Sequence, residues 1–452
     1  MANRSLRWQN AIVVIASYIF YGWWDWRFLL LIIGLSFCGF LTALGIERCR
    51  GRASARVFAV TNIVVSLCVL GTFKYFNFFA ANLQSLLLSF GIHPDMPTLK
   101  VILPVGISFY TFQSLSYTID VWRGRVRATT DVLAFFAYIC FFPQLVAGPI
   151  ERATSLLPQM LSHREFSYTN AVDGLRQMLW GFFKKMVVAD NCALAVNTIF
   201  GCWHECDALM LFAGMVFFAV QIYGDFSGYS DIAIGTAQLF GIRLNDNFRT
   251  PYFSRSFAEF WQRWHISLMR WFRDYVYIPL GGNRRGRITT LRNVFLVFLL
   301  SGLWHGANWT FVLWGAYSAL FFIPSIFWRD SERREMSSAK VRDLPRIFLV
   351  FLLVSVGWVI FRSDNIYSAW GYLSRMFWLL DKTDTYTLTV GKGAIMWSIF
   401  LFVVEWMQRE KRHAMQIPSY VPVVVRWLIY YTLLAFILFC HGQEQVFIYF
   451  QF

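Results

Sequence analysis

Apolar residues come in runs of membrane-crossing length, near 11–44, 57–79, 100–119, 131–149, 172–199, 208–240, 291–328, 346–361, 392–406 and 422–440, separated by short polar loops. A spanning helix needs roughly 20 such residues, so some runs hold two helices and the pattern predicts an all-α polytopic membrane protein. No long polar insert, internal repeat or low-complexity stretch divides the runs, and residues 1–452 read as one membrane domain.

The first run passes through Tyr18, Tyr21, Trp23, Trp24 and Trp26 without a small-residue cleavage site. That predicts two helices meeting at an interfacial aromatic belt, retained in the mature chain. Pro104, Pro143 and Pro149 interrupt or end runs, and Gly224, Gly228 and Gly235 loosen another, which predicts broken or re-entrant helices. Residues 245–292 differ, because arginines alternate with aromatic residues there. Phe257, Trp261, Trp264, Leu268 and Trp271 recur at spacings of three and four, which predicts one amphipathic helix lying in the membrane interface or lining a groove.

Composition agrees with the pattern: 57% of residues are hydrophobic and only 15% charged. The net charge of +15 does not point to nucleic acid, because the basic residues sit in short loops between apolar runs, the positive-inside pattern. The loops are Arg48–Arg56, Arg123–Arg127, Arg284–Arg292, Arg329–Arg342 and Arg409–Arg412, all expected on the cytoplasmic face. There they meet anionic headgroups and any polyanionic acyl donor. Eight scattered cysteines without a Cys-x-x-Cys pair exclude a disulfide framework. Cys202-Trp-His204-Glu-Cys206 is crowded into one loop without a second ligand pair, so no metal is expected; a Cys202–Cys206 disulfide needs that loop to face the periplasm.

Chemistry concentrates in two histidines, since an ionisable group at membrane depth is costly and marks a pathway or reaction site. His305 sits in Ser301-Gly-Leu-Trp-His305-Gly-Ala-Asn308-Trp among small residues that let other backbones approach. Burial favours the neutral imidazole, the form that takes a proton from a hydroxyl. His265 sits on the amphipathic stretch with polar company on one side, as an interface residue. His93, His163, His204 and His413 fall in loops and are expected to be solvated. Gln221 to Asp231 places Asp225, Ser227, Tyr229 and Asp231 inside an apolar run, as does Ser108 to Tyr117 with Tyr110 and Gln113. Polar groups this dense imply a cavity, or else a kinked helix. No Walker loop, Gly-x-Ser-x-Gly elbow or His-Glu-x-x-His motif occurs.

Leu103 to Asp120, Phe141 to Ile150, Asp225 to Asp231, both histidine motifs and Phe447 to Phe452 together resemble the membrane-bound O-acyltransferase family, in its bacterial alginate O-acetylation branch. The resemblance implies a helical fold with a central tunnel, in which a cytoplasmic donor meets an acceptor from outside. It makes His305 the essential histidine and His265 its partner, with Asn308 and the Asp225 to Asp231 run lining the chamber. It implies no bound cofactor, acetyl-CoA as donor substrate, an exopolysaccharide acceptor reached through a periplasmic acetyltransferase partner, and multi-pass residence in the bacterial inner membrane among lipid. One departure is the additional apolar helix that usually precedes the Tyr21-Gly-Trp-Trp region in relatives. D-alanyl transfer to teichoic acid is the rival within the enzyme class; an acyl channel or an export scaffold are rivals outside it.

Overall fold

The computed structural model describes residues 5–99, 102–146, 148–327, 338–378 and 391–448. Every regular element among them is helical. Six segments are long and apolar enough to cross a membrane: Arg27–Arg48, Ala53–Ser89, Ala208–Leu239, Arg287–His305, Trp309–Phe327 and Val341–Arg362. The fold is therefore that of an all-α, multi-pass membrane protein. The chain divides into two compact units, residues 1–171 with 237–245, and residues 172–236 with 246–452.

The first unit opens with α1 (Leu6–Asp25) and α2 (Arg27–Arg48), which meet at Trp26 beside the exposed rings of Trp23 and Trp24. The junction of the two helices falls where the pattern placed it. Next come α3 (Ala53–Leu70), α4 (Phe76–Ser89) and α5 (Ile107–Trp122), with α2, α3 and α5 packed together. Asn62 of α3 donates to Thr118 Oγ1 of α5 at 2.6 Å, so this contact is polar within an apolar interface. The runs at 100–119 and 131–149 do not become ordinary spans. Pro104 and the left-handed Gly106 delay the start of α5, while α6 (Val132–Cys140) and α7 (Phe142–Leu145) are too short to cross. A short α8 (Ala153–Met160) completes this set.

In the second unit α9 (Tyr168–Phe182) runs through a π-helical turn, Phe183–Ala189, into α10 (Asp190–Gly201). The long α11 (Ala208–Leu239) is unbroken. The expectation that Gly224, Gly228 and Gly235 break this run is corrected. They are packing contacts: a Cβ at Gly228 would lie 2.8 Å from the Gly181 carbonyl and one at Gly235 would lie 2.4 Å from that of Gly174. The missing side chains let α9 and α11 touch backbone to backbone. The helices α12 (Phe257–Arg263) and α13 (Ile266–Phe272) follow, then α14 (Arg287–His305), α15 (Trp309–Phe327), α16 (Leu344–Arg362), α17 (Ile366–Trp378), α18 (Lys392–Met407) and α19 (Val423–Phe439). The hairpin of α14 and α15 closes on glycine. A Cβ at Gly302 would lie 2.2 Å from the Phe311 carbonyl, and one at Gly315 would lie 2.4 Å from that of Phe298.

The single amphipathic helix expected over 257–271 is two helices. Between them His265 adopts left-handed backbone, φ +44° and ψ 52°, which costs an L-residue roughly 1–2 kcal/mol. The break is imposed from outside the segment. Residues 247–249 run alongside it, with Arg249 N donating to the Arg263 carbonyl and Ile266 N to the Asn247 carbonyl, both at 3.0 Å. The arginines Arg329, Arg333 and Arg334 of the fourth basic loop lie outside the described residues, as do 449–452 of the terminal motif.

Candidate functional site

His305 is the last residue of α14, buried among aromatic rings. Its ring centroid lies 4.9 Å from Trp304, 5.0 Å from Trp314 and 5.4 Å from Phe361. Nδ1 sits 2.6 Å from the Ser301 carbonyl oxygen. A carbonyl only accepts, so Nδ1 carries the proton and the neutral ring presents its lone pair at Nε2. Gly306 follows because a Cβ there would lie 2.1 Å from the Phe311 ring.

His265 is buried as well, not an exposed interface residue as the sequence suggested. Its Nδ1 lies 3.0 Å from Asn247 Oδ1, which also accepts from Ser267 Oγ at 2.9 Å. Asn247 Nδ2 donates to Ser230 Oγ at 3.3 Å, which fixes the amide orientation and makes His265 Nδ1 the donor. Both imidazoles are thus held in the same tautomer. The His265 ring lies edge-on to Phe226 at 4.7 Å and 5.9 Å from Trp304, the neighbour of His305. His265 lies outside the six candidate spans, yet burial pushes its imidazole well below the ordinary range, and His305 pushes the same way.

Two cavities flank the turn that carries His265. The first, about 920 Å³, is lined by Lys184, Ser227, Asp231, Asn247, Gln262 and Glu405 among others. The second, about 960 Å³, is lined by Gln262, Ile266, four arginines (Arg270, Arg273, Arg284 and Arg287) and apolar walls such as Phe298 and Phe322. Gln262 lines both. Among the described residues no carboxylate lines the second cavity, although Asp274 pairs with Arg273 at 2.8 Å. An anion with an apolar arm suits it.

The polar run of α11 divides its tasks. Asp231 pairs with Lys184 at 2.7 Å and accepts from Gln177 at 2.8 Å, while Ser227 accepts from Lys184 at 2.8 Å, all on the first cavity. Asp225 faces elsewhere, pairing with Lys185 at 2.8 Å and accepting from Ile448 N at 2.7 Å. The Tyr229 ring lies 5.2 Å from Phe447. Asn308 caps α15: its Oδ1 accepts from Thr310 N at 3.1 Å and its Nδ2 donates to the Asp364 carbonyl at 2.8 Å. Tyr110 and Gln113 belong to the first unit, buried on α5 beside Tyr21 and Tyr138 respectively. His413 is not solvated but buried, 3.1 Å from Asp173. Among the described residues no cluster of three or more His, Cys, Asp or Glu side chains suits a metal ion.

Sequence reasoning missed Lys184, Asn247 and Glu405. Glu405 accepts from the Tyr223 hydroxyl at 2.7 Å on the first cavity wall. Lys184 and Glu405 carried the same signal that singled out the histidines, an ionisable side chain inside an apolar run.

Residues 14–361 match the family model for MBOAT, the membrane-bound O-acyltransferase family. The chain is 42% identical over 393 residues to the "Probable alginate O-acetylase AlgI" of Pseudomonas aeruginosa, covering 85% of this chain and 73% of that one. It is 34% identical to the peptidoglycan O-acetyltransferase of Helicobacter pylori, over 80% of this chain and 73% of that one. The teichoic acid D-alanyltransferase of Bacillus subtilis matches at 26%, over 59% of this chain and 71% of that one.

Proposed function

Because the chain belongs to the membrane-bound O-acyltransferase family and is thus an O-acyltransferase, we propose that it moves an acetyl group from a cytoplasmic thioester, acetyl-CoA, to an extracytoplasmic hydroxyl in exopolysaccharide O-acetylation of the alginate type. The observation that carries the reading is the pair of buried imidazoles held with Nδ1 protonated, which makes Nε2 of His305 the nitrogen that takes a proton. The order of identities, 42% to an alginate O-acetylase and 26% to a D-alanyltransferase, favours acetyl over D-alanyl.

In this mechanism the acceptor hydroxyl attacks the thioester carbonyl while His305 Nε2 takes its proton, a step worth about 10²- to 10⁴-fold in rate. The C–S bond breaks, and the thiolate recovers the proton as it leaves. His265 is a positioning residue at the turn between the two cavities. The donor's phosphates lie against Arg270, Arg284 and Arg287, with Arg273 already paired to Asp274 at 2.8 Å. From Phe298 on that cavity wall to His305 is seven residues of α14, about 10 Å at ~1.5 Å per residue. A donor held by its phosphates therefore needs a long arm, as a pantetheine thioester has.

Asp231, Ser227, Tyr229, Asp225 and Asn308 are chamber residues of the second unit, with Asp225 and Asn308 shaping the chamber through the partners they hold. The final acceptor is reached through a periplasmic partner whose serine accepts the acetyl group and passes it on, and the enzyme resides in the inner membrane. Inside-out vesicles given labelled acetyl-CoA should transfer label to an acceptor hydroxyl. Arg284→Gln with Arg287→Gln should raise the donor KM and leave kcat near that of the parent. Vesicles that take label from another thioester but not from acetyl-CoA would overturn the donor assignment.

A further inference from the structure

The loop between α10 and α11 holds two thiols face to face. Cys202 Sγ lies 3.6 Å from Cys206 Sγ, across one turn of chain. Cys202 is half-buried and Cys206 buried. The loop is pinned under α17: Arg375 Nε donates to the Cys206 carbonyl at 2.7 Å, and the Trp203 ring occupies the space where a Cβ on Gly371 would stand. The helix that follows, α11, is a candidate span whose far end leads to Arg243 and Arg249. Near that end Asp246 pairs with Arg412 of the Arg409–Arg412 loop at 3.1 Å. Residues 186–242 contain no Lys or Arg at all. The arginine-rich end of α11 is cytoplasmic by the charge rule, so the Cys202–Cys206 end faces the opposite, oxidising compartment.

We infer that Cys202 and Cys206 form a disulfide on the extracytoplasmic face, made by exchange with a disulfide donor of that compartment. The thiolate of Cys202, the more accessible of the two, attacks one sulfur of the donor, and the donor's other sulfur leaves as a thiol. Cys206 then loses its proton and attacks Cys202 Sγ, releasing the donor's remaining sulfur as its second thiol. Two electrons and two protons pass from the cysteines to the donor. Burial, together with contact with Cys202, pushes the Cys206 thiol up to about 12, which sets this order of attack.

The bond closes the loop beneath α17, which starts just beyond Asp364, the residue whose carbonyl holds Asn308. It therefore braces the outer wall behind the His305 motif. The test uses the full chain expressed in its native host. Thiols are trapped in acid, alkylated with N-ethylmaleimide in denaturant, then reduced and alkylated with a second maleimide before peptide mass spectrometry. The second label should appear on Cys202 and Cys206, and a Cys202→Ser protein should carry the first label on Cys206. The first label on both residues of the unaltered chain would overturn the inference.

Discussion

Replacing His305 by glutamine separates chemistry from packing. The imidazole donates from Nδ1 to the Ser301 carbonyl, and that carbonyl also accepts the backbone N–H four residues on in α14. Losing the side-chain bond therefore leaves no buried acceptor empty. Glutamine retains much of the volume between Trp304, Trp314 and Phe361, whereas alanine opens a cavity at a cost of about 2–5 kcal/mol. Neither replacement supplies a basic nitrogen. A lost factor of about 10²–10⁴ corresponds to roughly 2.7–5.5 kcal/mol in the barrier. The assay is transfer from labelled acetyl-CoA in vesicles, with protein amount and melting temperature read by fluorescence-detected chromatography. His305→Gln should melt close to the parent and bind donor with similar KM, while kcat falls by that factor. A His305→Gln protein that transfers at the parental rate would refute the base assignment and favour a channel.

Four further outcomes follow from the same geometry. Asn247→Ala strands the buried donors of His265 and Ser267, each costing about 1–3 kcal/mol, so melting temperature and kcat should fall together, whereas Ser267→Ala should be milder. His265 is held below its unfolded value of about 6.5, so the unfolded chain binds the extra proton: its stabilising contribution is full above pH ~6.5 and declines as pH falls below it. A melting curve against pH should show that decline flattened in His265→Asn, and an unchanged slope would contradict it. Lys184→Met leaves Asp231 without its buried partner, at about 3–5 kcal/mol, and adding Asp231→Leu should recover most of the melting temperature; strict additivity in that cycle would exclude the coupling. Gly302→Ala should cripple folding of the α14–α15 hairpin, while Ala at Gly34, where nothing lies within 4 Å, should be silent in expression and melting.

The helical class, the helix junction at Trp23 to Trp26 and the burial of His305 were legible because hydrophobic run length and the cost of buried ionisable groups are local signals. The break at His265 was not. No Gly or Pro marks it, and it comes from a strand-like clamp supplied by residues 247–249. His413 looked solvated because it sits in a charged loop, while its partner Asp173 is 240 residues away. The Asp225 to Asp231 run was rightly seen as polar. That its two carboxylates serve different lysines depends on the π-helical turn, which sends Lys184 to Asp231 and Lys185 to Asp225.

Lys185 also donates to the Gln445 carbonyl, Asn191 to the Cys440 carbonyl, and Ile448 N to Asp225. These partners leave the ribosome more than two hundred residues after the groups they satisfy. During insertion Lys185 already has Asp190 and Asp225 as ion partners, so a nascent chain arrested before residue 440 lacks the hydrogen bonds with Cys440, Gln445 and Ile448 rather than the ion pairs. The second unit is therefore closed only once residues 440–448 have emerged and docked, like a drawstring pulled through after the bag is sewn. Quality-control proteases should read an undocked 440–448 segment as an unfinished second unit.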